Sequence, residues 1–302
     1  NREKNYTTDT KLSCFFIFCF VLDKKVIIAN TLGMQADAVF KLDASQIDTA
    51  AAWVGAIAYT FQIYFDFSGY TDMAIGSALL CNINLPINFN SPYKSLNIQE
   101  FWRRWHITLG KFLKDYVYIP LGGNSAGEII MYSNLLITFL IGGIWHGAGW
   151  NFIIWGLLHG FALVVSRIYS NLKIGMNNLL AMIITFLFVN ATWVFFRAHE
   201  LKDAIRILKG MCGLNGISLP ASFASRLPSL SQYGFVFEGA ESDKLIKLAL
   251  FIPLVFILKN SNEYTQEFQP NKRYLAFSLA LLFASLLNMA MQNTSEFIYF
   301  DF

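Results

Sequence analysis

Long apolar runs, broken by short polar punctuation, set the character of this chain. A bilayer core of ~30 Å is crossed by about 20 apolar residues in a helix. Ile129–Ser166 carries no formally charged residue when its two histidines are neutral. As one helix it would extend ~57 Å, too long for a single pass. It predicts two membrane segments with a break at Gly142-Gly143 or at Gly147-Ala148-Gly149. Thr49–Phe65, Leu179–Phe196, Ile246–Leu258 and Tyr274–Met291 are further apolar runs. Leu12–Leu22 is apolar but short, and Asp23-Lys24-Lys25 interrupts it before Val26–Ala29. That pattern predicts a tilted helix, or one ending at the interface with its lysines reaching the headgroups. Asn1–Lys11 is polar and predicts a loop.

Two segments depart from the spanning pattern. Asn82–Tyr93 holds Pro86 and Pro92 among Asn84, Asn88 and Asn90, which is loop chemistry. Lys94–Asp115 mixes Lys94, Arg103, Arg104, Lys111 and Lys114 with Phe101, Trp102, Trp105 and Phe112. It predicts an amphipathic or re-entrant helix at an interface, on the cytoplasmic side by the positive-inside tendency. Arg197–Lys244 is polar enough to lie outside the bilayer, with an amphipathic helix near His199–Met211.

Composition agrees with the pattern. Charged residues make up 14% of the 302 residues, against about 25% in a soluble domain. The net charge of +3 comes without a dense basic tract, which argues against nucleic acid as a partner. Cys14, Cys19, Cys81 and Cys212 show no zinc or CxxC spacing, and Cys14 and Cys19 read as small core residues. The fold expected is all-α: a polytopic integral membrane protein, one transmembrane domain over residues 1–302, with re-entrant or interfacial helices.

Polar groups in apolar segments are costly, so each is a functional candidate to be weighed against a packing role. His146 lies in Gly142-Gly143-Ile144-Trp145-His146-Gly147-Ala148-Gly149-Trp150-Asn151, where the glycines permit a break or a close approach. A neutral imidazole there could take a proton from a hydroxyl. His106 would share a helical face with Trp102 and Leu109. His159 would point about 220° away from His146 if Trp145–Gly160 were one continuous helix, and it reads more readily as packing. Metal-ligand spacings are absent from the sequence, so no metal is expected. Tyr59, Gln62, Asp66 and Tyr70 form a polar stripe, with Ser68 and Asp72 a second pair. The reading favoured for them is an interhelical network, with an aspartate pairing Arg103 or Arg104. A substrate or proton path is the alternative.

These residues are also recognisable. Tyr64-Phe65-Asp66-Phe67-Ser68-Gly69-Tyr70-Thr71-Asp72-Met73-Ala74-Ile75-Gly76, Phe101-Trp102-Arg103-Arg104-Trp105-His106, Tyr118-Ile119-Pro120-Leu121-Gly122-Gly123-Asn124, Trp145-His146-Gly147-Ala148 and the closing Phe297–Phe302 resemble the membrane-bound O-acyltransferase family. The likeness is to its bacterial alginate and peptidoglycan O-acetyltransferase branch, and it runs from about Leu12 to the end. It implies the C-terminal portion of that fold, with N-terminal helices of the full-length family absent here. It implies His146 as the catalytic histidine and His106 as the second histidine of the activity. Trp145, Asn151, Asp72 and Trp105 are candidate substrate contacts by inference from their place in or beside these motifs, not by family assignment.

The implied reaction moves an acetyl group from a cytoplasmic thioester, acetyl-CoA as donor substrate rather than bound cofactor, towards a hydroxyl. The acceptor would be an extracytoplasmic polysaccharide or peptidoglycan, reached directly or through an extracytoplasmic esterase-like partner protein. The location implied is multi-pass in the inner (plasma) membrane, in contact with lipid. D-alanyl transfer to teichoic acid is an alternative within the family. A transporter or channel and a non-catalytic scaffold are alternatives outside it.

Overall fold

The computed structural model of the protein describes residues 8–43, 46–125, 127–219, 226–233, 235–237, 244, 246–267 and 271–291. The closing motif at 297–302, residues 1–7 and the side chain of Cys14 lie outside the described residues. Helices α1 (Thr8–Asp23), α2 (Asn30–Phe40) and α3 (Thr49–Leu80) come first. Thr8–Lys11 therefore belong to a helix, not to the expected loop. α1 does not stop at its lysines either. A wide helical turn, Lys24–Ala29, carries the chain straight into α2.

The reason lies in α3. Lys24 Nζ donates to Asp72 Oδ2 at 3.2 Å, and Lys25 pairs with Asp66. Ser261 from the C-terminal segment also donates to Asp72. Lys24 and Asp72 are both buried. The lysines therefore do not reach for headgroups, and the aspartates do not pair with Arg103 or Arg104. Interhelical pairing thus holds for the two aspartates, with cations from the α1–α2 junction, while Gln62 Oε1 and Ser68 Oγ are buried without a hydrogen-bond partner among the described residues. A lysine surrounded by apolar chain is tolerated where a carboxylate offsets its desolvation.

α3, at 32 residues and ~48 Å long, is the central post. Its N-terminus is capped by Asp48, whose carboxylate accepts from the Ala51 N–H at 2.7 Å. α8 (Asn178–Arg197) is tied to it by Asn190, which donates to the Ala56 carbonyl at 3.1 Å and to Thr60 Oγ1 at 2.6 Å. The Tyr93 hydroxyl donates to the Thr60 carbonyl at 2.7 Å. Around this post the core is aromatic: Tyr59, Phe61, Phe101, Trp105, Trp155, Trp193 and Phe196 are all fully buried.

The run expected to split does so at Gly147–Gly149, giving α6 (Glu128–His146) and α7 (Trp150–Asn171). Gly142 and Gly143 stay helical. A side chain at Gly143 would collide with the Phe152 carbonyl, and one at Gly156 with that of Phe139. The two glycines let α6 and α7 cross almost backbone to backbone.

α9 (Leu201–Met211) buries Ala204, Ile207 and Gly210 on one side, as the amphipathic pattern predicts. Two three-residue strands, Ile217–Leu219 and Phe235–Phe237, pair in parallel. α10 (Ile252–Phe256), α11 (Ser261–Glu267) and α12 (Lys272–Met291) complete the described chain.

Among the described residues, α6, α7, α8 and α12 are long and apolar enough to cross a membrane. Only 11% to 39% of each apolar window is buried within the protein. So much apolar surface suits lipid rather than water, and the protein is a multi-pass membrane protein. Ile246–Phe256 is apolar but too short to qualify. α3 is buried through most of its first 24 residues instead and becomes exposed towards Leu80.

Candidate functional site: two broken helices bearing histidines

The segment 94–115 is not one helix. α4 (Ile98–Arg104) starts at Asn97, whose side chain accepts from the Glu100 N–H at 2.8 Å, while Glu100 accepts from the Leu96 N–H at 2.8 Å. This reciprocal cap fixes where the helix begins. It stops at Trp105, which is extended, and His106 is left-handed at φ 43°, ψ 56°. α5 (Ile107–Leu113) then begins. A left-handed residue with a side chain costs on the order of 1–3 kcal/mol.

The 82–91 loop supplies the compensation. Asn90 N–H donates to the Arg104 carbonyl at 2.9 Å, and Ile107 N–H to the Asn88 carbonyl at 3.1 Å. The His106 ring stands edge-on to Phe67 at 4.8 Å. The face expected to join Trp102, His106 and Leu109 therefore does not exist, because the backbone turns between them.

His146 closes α6. Gly147 follows in an extended conformation, and a side chain there would strike the Phe152 ring. His146 packs against Trp145, Trp155 and Phe196 at 4.8, 5.2 and 5.0 Å between ring centroids. Trp105, the residue before His106, meets Trp193 at 5.0 Å, and Trp193 meets Phe196 at 5.3 Å. Two helix breaks, 40 positions apart in the chain, thus flank one aromatic cluster.

His159 belongs to the same aromatic cluster, 4.8 Å from Trp155. The break before α7 removes the geometry that would have turned it away from His146. Its bonding differs, however. Trp102 Nε1–H donates to its Nδ1 at 3.2 Å, and its Nε2 lies 3.0 Å from Thr192 Oγ1. An indole can only donate, so Nδ1 is the acceptor and Nε2 carries the proton. Thr192 accepts it and passes its own hydroxyl to the Val189 carbonyl at 2.9 Å. Both ring nitrogens of this fully buried imidazole are consumed by structure.

The other candidate contacts divide. Trp145 is exposed at 58%. Asn151 is buried, and its Nδ2 donates to the Ala198 carbonyl at 2.7 Å, tying the start of α7 to the end of α8. Trp105 is buried against Phe89, Trp193 and Phe101 at 4.9, 5.0 and 5.7 Å. Asp72 is held by Lys24 and Ser261.

A cleft of about 600 Å³ opens beside this cluster, and sequence reasoning did not find it. Trp102, Phe139 and Leu163 form apolar wall, while Arg103, Lys111, Lys114 and Arg167 supply four cations against one carboxylate, Asp115. Ile107, next to His106, also lines it, but neither His106 nor His146 does. Trp102 links the two, since it lines the cleft and bonds His159. The cations of 103–114 were visible in the sequence as one side of an amphipathic segment. Arg167, on a different helix, carried no signal that it would join them.

The family model of MBOAT, the membrane-bound O-acyltransferase family, matches residues 34–196, which contain His106, His146 and His159. The chain belongs to the membrane-bound O-acyltransferase family. Among curated relatives, a peptidoglycan O-acetyltransferase of Helicobacter pylori is 48% identical over 297 residues, covering 95% of this chain and 56% of that protein. A probable alginate O-acetylase AlgI of Pseudomonas aeruginosa is 50% identical over 189 residues, 62% of this chain and 36% of that protein. A teichoic acid D-alanyltransferase of Bacillus subtilis is 33% identical over 149 residues, 43% of this chain and 37% of that protein. The chain spans about half the length of the first two O-acetylation relatives or less, so the family match places the histidine neighbourhood and cleft within the O-acyltransferase region.

Proposed function

We propose that the whole protein is an O-acetyltransferase of the inner membrane. It moves acetyl from a cytoplasmic thioester, acetyl-CoA, to a hydroxyl on an extracytoplasmic glycan such as peptidoglycan or alginate, or on a partner protein that serves the glycan. The observation that carries this reading is that His106 and His146 stand at two helix breaks flanking one aromatic cluster inside the family-matched region.

In the proposed step, His146 takes the hydroxyl proton as the oxygen attacks the thioester carbonyl. The C–O bond forms, the C–S bond breaks, and the proton passes to the departing thiolate. His106 orients the donor or relays that proton. The first N–H groups of α7, near Gly147–Asn151, have no partner within their own helix and are candidates to stabilise the oxyanion. Trp145 and Asn151 would shape that end, with Asp72 and Trp105 supporting the wall through their own contacts. The cations of the cleft, Arg103, Lys111, Lys114 and Arg167, suit the phosphates of the donor.

The test is transfer of labelled acetyl from acetyl-CoA by the full-length protein in proteoliposomes. His146→Ala is expected to abolish transfer while membrane expression is kept, and retained transfer overturns the assignment. Solute flux without acetylation would favour transport.

A further inference from the structure

We propose that Asn88 is a positioning residue that fixes the tautomer of His106, with the proton on Nδ1 and the lone pair on Nε2. Its part in the reaction rests on the reading above, in which His106 acts.

Asn88 lies in the loop that the sequence marks only as turn chemistry, 18 positions before His106. Its Oδ1 is the meeting point of three groups. Thr108 N–H donates to it at 3.1 Å, the Thr108 hydroxyl at 2.7 Å, and His106 Nδ1 lies 3.3 Å away. The backbone N–H of Thr108 can only donate, so the atom facing it must be the amide oxygen and not the NH2. That settles the orientation of the amide. If His106 Nδ1 carried no proton, its lone pair would face that oxygen. A proton on Nδ1 turns the repulsion into a hydrogen bond. In a neutral imidazole only one nitrogen is protonated, so Nε2 is left as the basic nitrogen. The hydrogen-bond partner of one ring nitrogen thereby sets the chemistry of the other.

Asn88 is also held through its backbone: its carbonyl accepts from the N–H of Ile107, the first residue of α5. The residues after it are pinned by the C-terminal segment: Asn262 Nδ2 donates to the Phe89 carbonyl at 2.8 Å, and Asn260 Nδ2 to Asn90 Oδ1 and Ser91 Oγ, both at 3.0 Å. The loop is a strap anchored on both sides, and Asn88 presents its oxygen to a left-handed histidine that cannot settle into the helix.

Contrast His159 in the same neighbourhood. There an obligate donor, the Trp102 indole, meets Nδ1 and forces the opposite tautomer.

The experiment is solid-state NMR of the full-length protein, labelled with nitrogen-15 histidine, in proteoliposomes. The His106 signals are assigned by their loss in His106→Gln. Wild type is expected to show a protonated Nδ1 and an unprotonated Nε2. Asn88→Ala should lose that single tautomer and lower kcat on the order of 10- to 100-fold, as misplaced reacting groups do, with little change in KM for acetyl-CoA. Asn88→Asp keeps the acceptor and should keep both the tautomer and most of the rate. If Asn88→Ala does not reach the membrane, Asn88→Ser serves. Its hydroxyl can still accept from Thr108 N–H but is too short to hold the ring as well.

An Nε2-protonated His106 in wild type, or an unchanged tautomer in Asn88→Ala or Asn88→Ser, overturns the proposal. Full activity of His106→Gln overturns the role of the ring in the reaction and with it the catalytic half of the proposal. The tautomer measurement still reports separately whether Asn88 holds the ring.

Discussion

His159 and His146 occupy the same aromatic cluster, share Trp155 as a neighbour, and differ in almost everything that decides a role. His159 lies mid-helix, fully buried, with an indole on one nitrogen and a threonine on the other. His146 ends a helix at a glycine break, partly exposed, beside the exposed Trp145 and Trp150. A buried polar group with every hydrogen bond met adds specificity to packing and has no lone pair to offer a substrate. A histidine at a broken helix end keeps access. Intramembrane polarity alone therefore does not mark a site. Burial and position in the helix separate the two rings.

The comparison breaks most sharply on activity. His146→Ala should cost at least the ~10²–10⁴-fold typical of a lost general base, measured as acetyl transfer by the full-length protein at equal membrane level. A loss smaller than tenfold would place His146 with His159 among the packing residues.

The next largest effect lies away from both rings. Lys24→Ala leaves Asp72 buried with only Ser261 and Lys25 pairing its neighbour Asp66. It should destabilise the protein by about 3–5 kcal/mol, read as a fall in the thermal unfolding midpoint in detergent. The double variant Lys24→Leu with Asp72→Leu should recover most of that loss, because no charge is then stranded. An equal loss in the double variant would show that the pair does more than neutralise itself.

His159→Phe sharpens the contrast from the other side. It strands the Trp102 indole N–H and the Thr192 hydroxyl, at a cost of about 1–3 kcal/mol for a buried group left unsatisfied. The protein that remains folded should transfer acetyl at a rate within a few-fold of wild type. A kcat loss comparable to that of His146→Ala would join the two histidines in one function.

The smallest effect is expected at the cleft. Lys111→Gln with Lys114→Gln should raise the KM for acetyl-CoA by roughly three- to tenfold, on the order of 1 kcal/mol, and leave kcat unchanged. The effect should shrink as salt is added, since exposed charges are screened within about 10 Å at 0.1 M. An unchanged KM at low salt would remove the cleft from donor binding.

Much of the architecture was readable in advance, for identifiable reasons. The charge-free run of 129–166 had to split because no bilayer accommodates its full length, and the glycines offered the places. Leu179–Phe196 and Tyr274–Met291 appear within one or two residues of their helices, α8 and α12, because span length and hydropathy are local properties. The proline and asparagine content of 82–93 marked a loop for the same reason. The motifs that resemble the O-acyltransferases are also local, and they singled out His106 and His146.

What local pattern could not supply was partnership. Lys24 and Lys25 looked like an interfacial stop because a charge cluster ends an apolar run. Only the docking of that junction on α3 brought Asp66 and Asp72, 41 and 48 positions later, to meet them. His106 read as one point on a helical face. The left-handed turn that carries it is stabilised by hydrogen bonds from 82–91, which no periodicity in 94–115 contains. Arg167 joined the cleft because α7 folds back along α6 through the crossing at Gly143 and Gly156. Sequence determined which segments are apolar enough for a membrane, that the longest of them must break, and which histidines carry the family's motif. Tertiary structure decided which charges are neutralised, which nitrogens are spent on packing, and which backbone is held in strain. Hydrophobicity is a property of a residue and its near neighbours, whereas a hydrogen bond or an ion pair is a property of two residues that the chain must first bring together.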